Sequence, residues 1–281
     1  MQKEKKRIKI GLALGGGAAL GFAHIGVIKA LEENNISIDC ICGTSMGSVV
    51  GALYSLGATT KQLSDAVDKF EFKSITKLNA FKMLKEGIYN TDKMGSFVES
   101  FLDQNLIENA RIPYRCTAVD LKTGKLYVFK SGPVGEAVRA SSAIPGVFAP
   151  VIKDDMFLVD GGVLNQVPFD ETKKMGADFV LAVNVVPKYQ PRDKVGLNRI
   201  DKVLMSAFGV MLNSREEYRK KTFDKSSGYY LDVESTYSEM DFSHKANLAS
   251  LELGYKVATE NMPKILRAIN KVKKTFNKKV N

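Results

Sequence analysis

Apolar residues recur with two different periods through the N-terminal part of the chain, and their alternation sets the fold class. Lys6 to Leu14 (KRIKIGLAL) ends in an apolar run that stops at Gly15, Gly16 and Gly17, the pattern of a buried strand feeding a tight turn. In FAHIGVIKALEEN, Phe22, Ile25, Ile28 and Leu31 recur at helical spacing, and Asn34 and Asn35 supply a stop. Ile36 to Cys42 reads as a second strand, and Met46 to Leu56 as a second helix ending at Gly57. This β-turn-α-β-turn-α order predicts an α/β fold around a mainly parallel sheet.

Thr59 to Asn109 reads as mostly helical, with NTDKMGSFVESFLD the clearest stretch and Asn90 or Thr91 as its cap. Tyr114 to Asp120 and Lys125 to Lys130, joined by LKTG, predict a β-hairpin. Val134 to Ser142 predicts a short helix, with a loop from Pro145. Met156 to Val159 and Phe179 to Val186 predict buried strands. Residues 188–245 are polar and irregular, as a lid, an insertion or plain surface would be. Near the C-terminus Met262, Ile265, Leu266, Ile269, Val272 and Phe276 share a helical face that Lys264, Lys271, Lys274 and Lys278 largely avoid. That face suits a docked terminal helix with a solvated basic side, or an amphipathic helix lying on a membrane.

The net charge of +10 would suggest a nucleic-acid binder if it were spread over one face. It is concentrated at the ends instead. Lys3, Lys5, Lys6, Arg7 and Lys9 face only Glu4, and residues 261–281 are basic without an acid, so the body between them is nearly neutral. Nucleic acid is therefore not the expected partner, whereas attraction of the basic ends to an anionic membrane fits. Cys40, Cys42 and Cys116 form neither a CxxC pair nor an even set, which argues against a disulfide framework or zinc ribbon and for a reducing, cytoplasmic setting. The uncharged runs Ile10 to Ile28 and Cys40 to Thr60 approach membrane-span length, but the glycine-broken first run does not suit a helix in hydrocarbon. Following KEKKR, the first run also has a secretory signal's outline, without a convincing cleavage pattern.

Gly43, Thr44, Ser45, Met46 and Gly47 spell G-x-S-x-G between a predicted strand and a predicted helix. A nucleophile elbow has this context: flanking glycines permit a sharp, strained turn that exposes the serine hydroxyl at the mouth of the sheet. The helix start directs unpaired amides toward the same place. Gly15, Gly16 and Gly17, at the end of the first strand, could turn their N–H groups on a developing oxyanion. They could also begin a dinucleotide-binding turn with Asp39 as the ribose contact, but Leu20 stands where the third glycine is wanted. A base for the serine can come from two directions. His244 follows the candidate acids in the order of an α/β-hydrolase triad, and His24, on the helix after the glycine loop, suits a packed or capping histidine as well as one near the site. Asp160, after MFLV and before Gly161 and Gly162, can act directly from a strand end, where burial would raise its pKa. An aspartate before glycine is also an ordinary turn residue, and Asp120 beside its hairpin turn more so.

Taken together, these motifs resemble the patatin-like phospholipase family, in particular its small bacterial members. GGGAALG at Gly15 to Gly21 is similar to the family's oxyanion loop, GTSMG at Gly43 to Gly47 to its elbow, and DGG at Asp160 to Gly162 to its aspartate motif. ASSAIPGVFAP, Ala140 to Pro150, is similar to the loop before that aspartate. The resemblance implies a three-layer α/β/α sandwich, with residues 8–186 as the catalytic core and 187–281 as a mainly helical extension packed on the same domain. It implies a Ser45–Asp160 dyad acting without histidine, metal or cofactor, on lipid or other acyl esters through an acyl-serine. Many relatives carry Arg or Lys where this chain has Leu20, so a loop-ordering role for that cation is absent here. The expected activity is serine acyl hydrolysis. A thioesterase or acyltransferase using the same serine, or a non-catalytic lipid-binding protein peripheral to the inner membrane face, are the alternatives.

Overall fold

The computed structural model describes residues 7–69, 91–186, 200–238 and 241–280. Its sheet grows outward from β1 (Ile10–Leu14), which pairs in parallel with β2 (Cys40–Gly43) on one side and β7 (Phe179–Asn184) on the other. Both neighbours gain a further parallel partner: β3 (Tyr114–Asp120) beside β2 and β8 (Gly228–Asp232) beside β7. The antiparallel part comprises β4 (Lys125–Phe129), β5 (Val151–Lys153) and β6 (Met156–Asp160).

Period-two alternation divides the buried side chains between two faces. Ile10, Leu12 and Leu14 of β1, with Phe179, Leu181 and Val183 of β7, pack toward α1 (Ala23–Glu33), α2 (Met46–Ser55) and the long α8 (His244–Val280). Ala13, Val180 and Ala182 point the other way, toward Phe169 of α6 (Phe169–Lys174) and Phe223, which follows α7 (Ile200–Lys221). Helices therefore cover both sides of a mostly parallel sheet, the layered sandwich expected. Among the described residues the remaining α-helices are α3 (Thr60–Lys69), α4 (Asp92–Glu99) and α5 (Val134–Ser141). Residues 70–90, part of the stretch read as helical, lie outside the described residues, as does the candidate cap Asn90.

Two differences from the sequence reading have physical causes. β5 was not anticipated; it joins β6 through Asp154 and Asp155, both at left-handed φ (44° and 65°), as a two-residue turn of type I′ requires. Asp-Asp is a weaker signal for that turn than Asn-Gly. The C-terminal helix begins at His244, well before Met262, and runs through Gly254 and Pro263, residues that ordinarily punctuate helices. Tertiary contact explains Gly254: a Cβ there would run into the backbone of Ala23, and one on Gly26 into the backbone of Leu251 and Tyr255. The helices cross at these glycines with their backbones touching. Met262, Ile265 and Ile269 are buried and Val272 and Phe276 pack beside them, whereas Leu266 faces outward. Lys264, Lys271, Lys274 and Lys278 are exposed. The segment after residue 186 supplies β8 to the sheet as well as two helices. No described helix is long and apolar enough to cross a membrane.

Candidate active site

β2 runs into the turn Thr44–Ser45 and α2 begins at once. Ser45 occupies φ 51°, ψ −126°, a conformation that L residues rarely adopt and that costs on the order of 1–3 kcal/mol. The surrounding backbone holds it there. A Cβ on Gly43 would strike the Gly47 carbonyl, and one on Gly47 the carbonyl oxygens of Leu14 and Gly15, so α2 starts in backbone contact with the end of β1. Thr44 donates its N–H to Leu14 O (3.0 Å) and its hydroxyl to Asn165 O (2.9 Å). That leaves the Thr117 hydroxyl to donate to Thr44 Oγ1 at 2.7 Å. The Ser45 N–H is taken by Ser141 Oγ at 2.9 Å.

The sheet register brings Asp160 to this turn. Cys116 pairs with both Gly43 and Phe129, and Ala118 with both Asp160 and Tyr127. β4 therefore occupies one edge of β3 while β2 and β6 share the other end to end. Their C-terminal residues face β3 positions two apart, about 7 Å along the strand. Asp160 is buried, accepts the Gly162 N–H at 2.7 Å and lines the same cavity as Ser45. Burial pushes its pKa up to about 6, against the pull of the Gly162 N–H and the Ser45 side chain toward the charged form.

The glycine loop is placed beside Ser45, but its amides are not used as expected. Gly15 donates its N–H to Val183 O and Gly16 to Gln166 O, each at 3.0 Å, so these two cannot face an oxyanion. Backbone pairing with β7 and the 165–167 turn claims them first. Among the described residues, the loop amides left without a partner are those of Gly17, Ala18 and Ala19, and of these residues Gly17 and Ala18 border a cavity with Ser45.

Two cavities meet at Ser45. One, of about 530 Å³, is bounded by Gly17, Ala18, Asp160 and Gln166 on the loop side and by Phe208 and Leu212 of α7 on the other. The second, of about 340 Å³, is apolar, with Met46, Met94, Ile144, Phe148 and Phe242 in its wall. Residues from the irregular 188–245 segment thus border the site from α7 and from Phe242.

The competing residues have other surroundings. Asp39 precedes β2, where its carboxylate accepts Arg7 at 2.8 and 2.5 Å and the Ile10 N–H at 2.8 Å, occupying the group a ribose would need. Asp120 holds its own turn through Thr123, Lys122 and Phe157, and the Thr123 hydrogen bond leads in lowering its pKa. His244 is exposed at the start of α8 and does not line either cavity. His24 is buried behind the glycine loop. Leu20 is buried in a 3₁₀ turn, Ala18–Phe22. The three cysteines are buried and free, and desolvation pushes Cys116 up to about 12, so no thiolate competes as nucleophile. Among the described residues no three His, Cys, Asp or Glu side chains are grouped to hold a metal ion.

Several neighbours of Ser45 were not singled out from the sequence. Ser141, Ile144 and Phe148 lie in ASSAIPGVFAP, a stretch noticed only as a motif. Gln166, close behind DGG, places its side chain beside Gly16 and Gly162. Phe208, Leu212 and Phe242 carry no local signal, because only the path of the chain brings them to the cavity.

A family model, Patatin-like phospholipase, matches residues 12–173. An uncharacterized NTE family protein of Mycobacterium tuberculosis is 39% identical over 184 residues, covering 63% of this chain and 49% of that one. The lysophospholipase nte1 of Aspergillus fumigatus is 35% identical over 181 residues, covering 63% of this chain and 12% of that protein. The chain thus corresponds to about half of the mycobacterial relative and a small part of the fungal one. Among solved structures, VipD from Legionella pneumophila superposes with a TM-score of 0.52 at 13% identity, covering 92% of this chain and 67% of that one. The type III effector ExoU gives 0.51 at 12% identity, covering 92% and 53%. At such identities the structural likeness concerns the fold.

Proposed function

The chain belongs to the patatin-like phospholipase family, and from that premise we propose that it is a serine acyl hydrolase cleaving carboxylic esters of lipids with Ser45 as nucleophile and Asp160 as base. The observation that carries the reading is that the Ser45 side chain shares one cavity with a buried carboxyl whose pKa is pushed up to about 6. Such a carboxylate is charged at neutral pH yet more basic than one in water, which suits proton abstraction from a hydroxyl.

In the forward step Ser45 Oγ attacks the ester carbonyl and its proton passes to Asp160. The carbonyl oxygen takes up the negative charge beside the Gly17 and Ala18 amides. Collapse of the tetrahedral adduct breaks the ester bond, and Asp160 returns the proton to the departing alkoxide. Water then attacks the acyl-serine, again giving its proton to Asp160, and the carboxylic acid leaves as Ser45 recovers its hydrogen.

The apolar wall of Met46, Met94, Ile144, Phe148 and Phe242 supports an acyl chain in the substrate. Relatives named as lysophospholipases support a lipid ester. The exposed lysines of α8 support attraction to anionic lipid surfaces.

A fluorophosphonate probe followed by mass spectrometry tests the nucleophile, alongside hydrolysis of lysophospholipids and p-nitrophenyl esters. Ser45 should carry the label, and Ser45→Ala should lose roughly a thousandfold or more in kcat. Labelling at another residue, or undiminished turnover by Ser45→Ala, refutes the assignment.

A further inference from the structure

His24 lies at the start of α1, completely buried, with Nε2 2.7 Å from the Gly15 carbonyl oxygen. A carbonyl can only accept, so Nε2 carries the proton and donates it. Nδ1 is then a bare lone pair, and it has no partner among the described residues. Burial also drives the ring's pKa down to about 4, so it is neutral under ordinary conditions. A neutral imidazole with one orphaned nitrogen is a costly way to fill core volume. What it supplies that a phenyl ring could not is the hydrogen bond to Gly15.

That bond falls at a sensitive place. The peptide unit joining Gly15 to Gly16 is fixed at both ends, its carbonyl accepting from His24 and its N–H donating to Gln166 O at 3.0 Å. The Gly15 N–H is fixed in turn by Val183 O. Three consecutive glycines would otherwise range over more conformations than any other residues. Directly after the clamped unit come Gly17 and Ala18, whose amides have no partner and which border the cavity with Ser45. Ala18 sits at φ 45°, a left-handed conformation that an alanine does not hold unaided.

We propose that His24 is a positioning residue: by donating to the Gly15 carbonyl it fixes the glycine loop so that the Gly17 and Ala18 amides stay beside Ser45, where the oxyanion forms. The proposal rests on the reading of Ser45 as nucleophile. His24 itself neither touches substrate nor exchanges a proton during turnover.

The test compares His24→Phe, which keeps the ring volume and removes the donor, with His24→Gln, which restores one. His24→Phe, folded by circular dichroism and cooperative melting, should lose roughly 10- to 1000-fold in kcat on a p-nitrophenyl ester, with KM within about threefold. Phosphonylation of Ser45 should slow by a similar factor, and His24→Gln should recover at least about tenfold of the loss. A folded His24→Phe with wild-type kcat, or a His24→Gln no better than His24→Phe, overturns the proposal. Should His24→Phe not fold, ¹⁵N-histidine NMR of the unaltered protein decides: an Nε2–H tautomer with unprotonated Nδ1 from about pH 5 to 9 upholds it. An Nδ1–H tautomer, or titration near the ordinary histidine value, overturns it. Ser45→Ala run in parallel separates the two readings, since its turnover of ester would reject the nucleophile while leaving the tautomer measurement of His24 intact.

Discussion

At the scale of single residues, the role proposed for Asp160 sets function against stability. Its carboxyl is raised from 3.8 to about 6 because burial disfavours the charged form. A group whose folded pKa exceeds its unfolded one is an acid that the fold prefers to keep protonated. Below about pH 4 it costs nothing; the penalty grows between pH 4 and 6 and is complete above 6, at roughly 3 kcal/mol. Asp160→Asn, which can still accept the Gly162 N–H, should therefore raise the melting temperature by several degrees at pH 8 and leave it nearly unchanged at pH 4. The same substitution should reduce turnover by roughly 10²- to 10⁴-fold. In the wild type, kcat/KM should climb with pH and level off above about 6, following the ionised base. Calorimetric scans at both pH values give the check: a melting-temperature gain of equal size at pH 4 and pH 8 would mean that charge burial is not its source.

Elements meet the site through register and backbone proximity more than through side-chain chemistry. Cys116 and Ala118 fix where β2 and β6 end along one edge of β3, and those ends carry Ser45 and Asp160. Behind the glycine loop, α1 and α8 cross at Gly26 and Gly254. Adding a methyl to Gly254 must push α8 away from Ala23, because backbone cannot yield as a flexible side chain does. Gly254→Ala should destabilise by about 1–3 kcal/mol or more, despite alanine's better helix propensity. Urea unfolding measures it; a stability gain, as propensity alone would give, would show that the crossing is not close-packed in solution. The apolar runs of β1 and β7 and the spacing in α1 were readable from the chain. The extent of α8 was not, because its glycine and proline signal a break that contact with α1 overrides.

Across the whole molecule, α7 borders the site and is fastened there. Arg215 donates to Leu164 O at 2.9 Å, and Arg219 to Asn165 Oδ1 at 2.6 Å and Asp170 Oδ1 at 2.9 Å. Glu216 accepts from Tyr230 at 2.6 Å. The bonds to Leu164 and Asn165 tie α7 to the turn whose Asn165 carbonyl holds Thr44, so one wall of the cavity and the Thr44–Ser45 turn are linked. Phe208 and Leu212 project from α7 into that wall. Replacing both with alanine should widen the cavity and shift kcat/KM on a p-nitrophenyl acyl series toward longer or bulkier chains, by roughly tenfold. The fluorophosphonate labelling rate of Ser45 should change little. An unaltered chain-length profile would place the acyl chain elsewhere, against the apolar wall of Phe148 and Phe242.

Local physics alone determined the strand-helix alternation, the strained serine between two glycines and the aspartate at a strand end, since period, backbone sterics and turn chemistry act within a few residues. Tertiary structure decided which donors are spent and which are left. Val183 and Gln166 claim the Gly15 and Gly16 amides from distant parts of the chain, leaving Gly17 and Ala18. It also decided that Ser141 takes the Ser45 N–H and that α7 walls the cavity. Hydrogen-bonding groups and apolar surfaces are satisfied by whatever the folded chain brings nearest, and that competition has no signature in the order of residues along it.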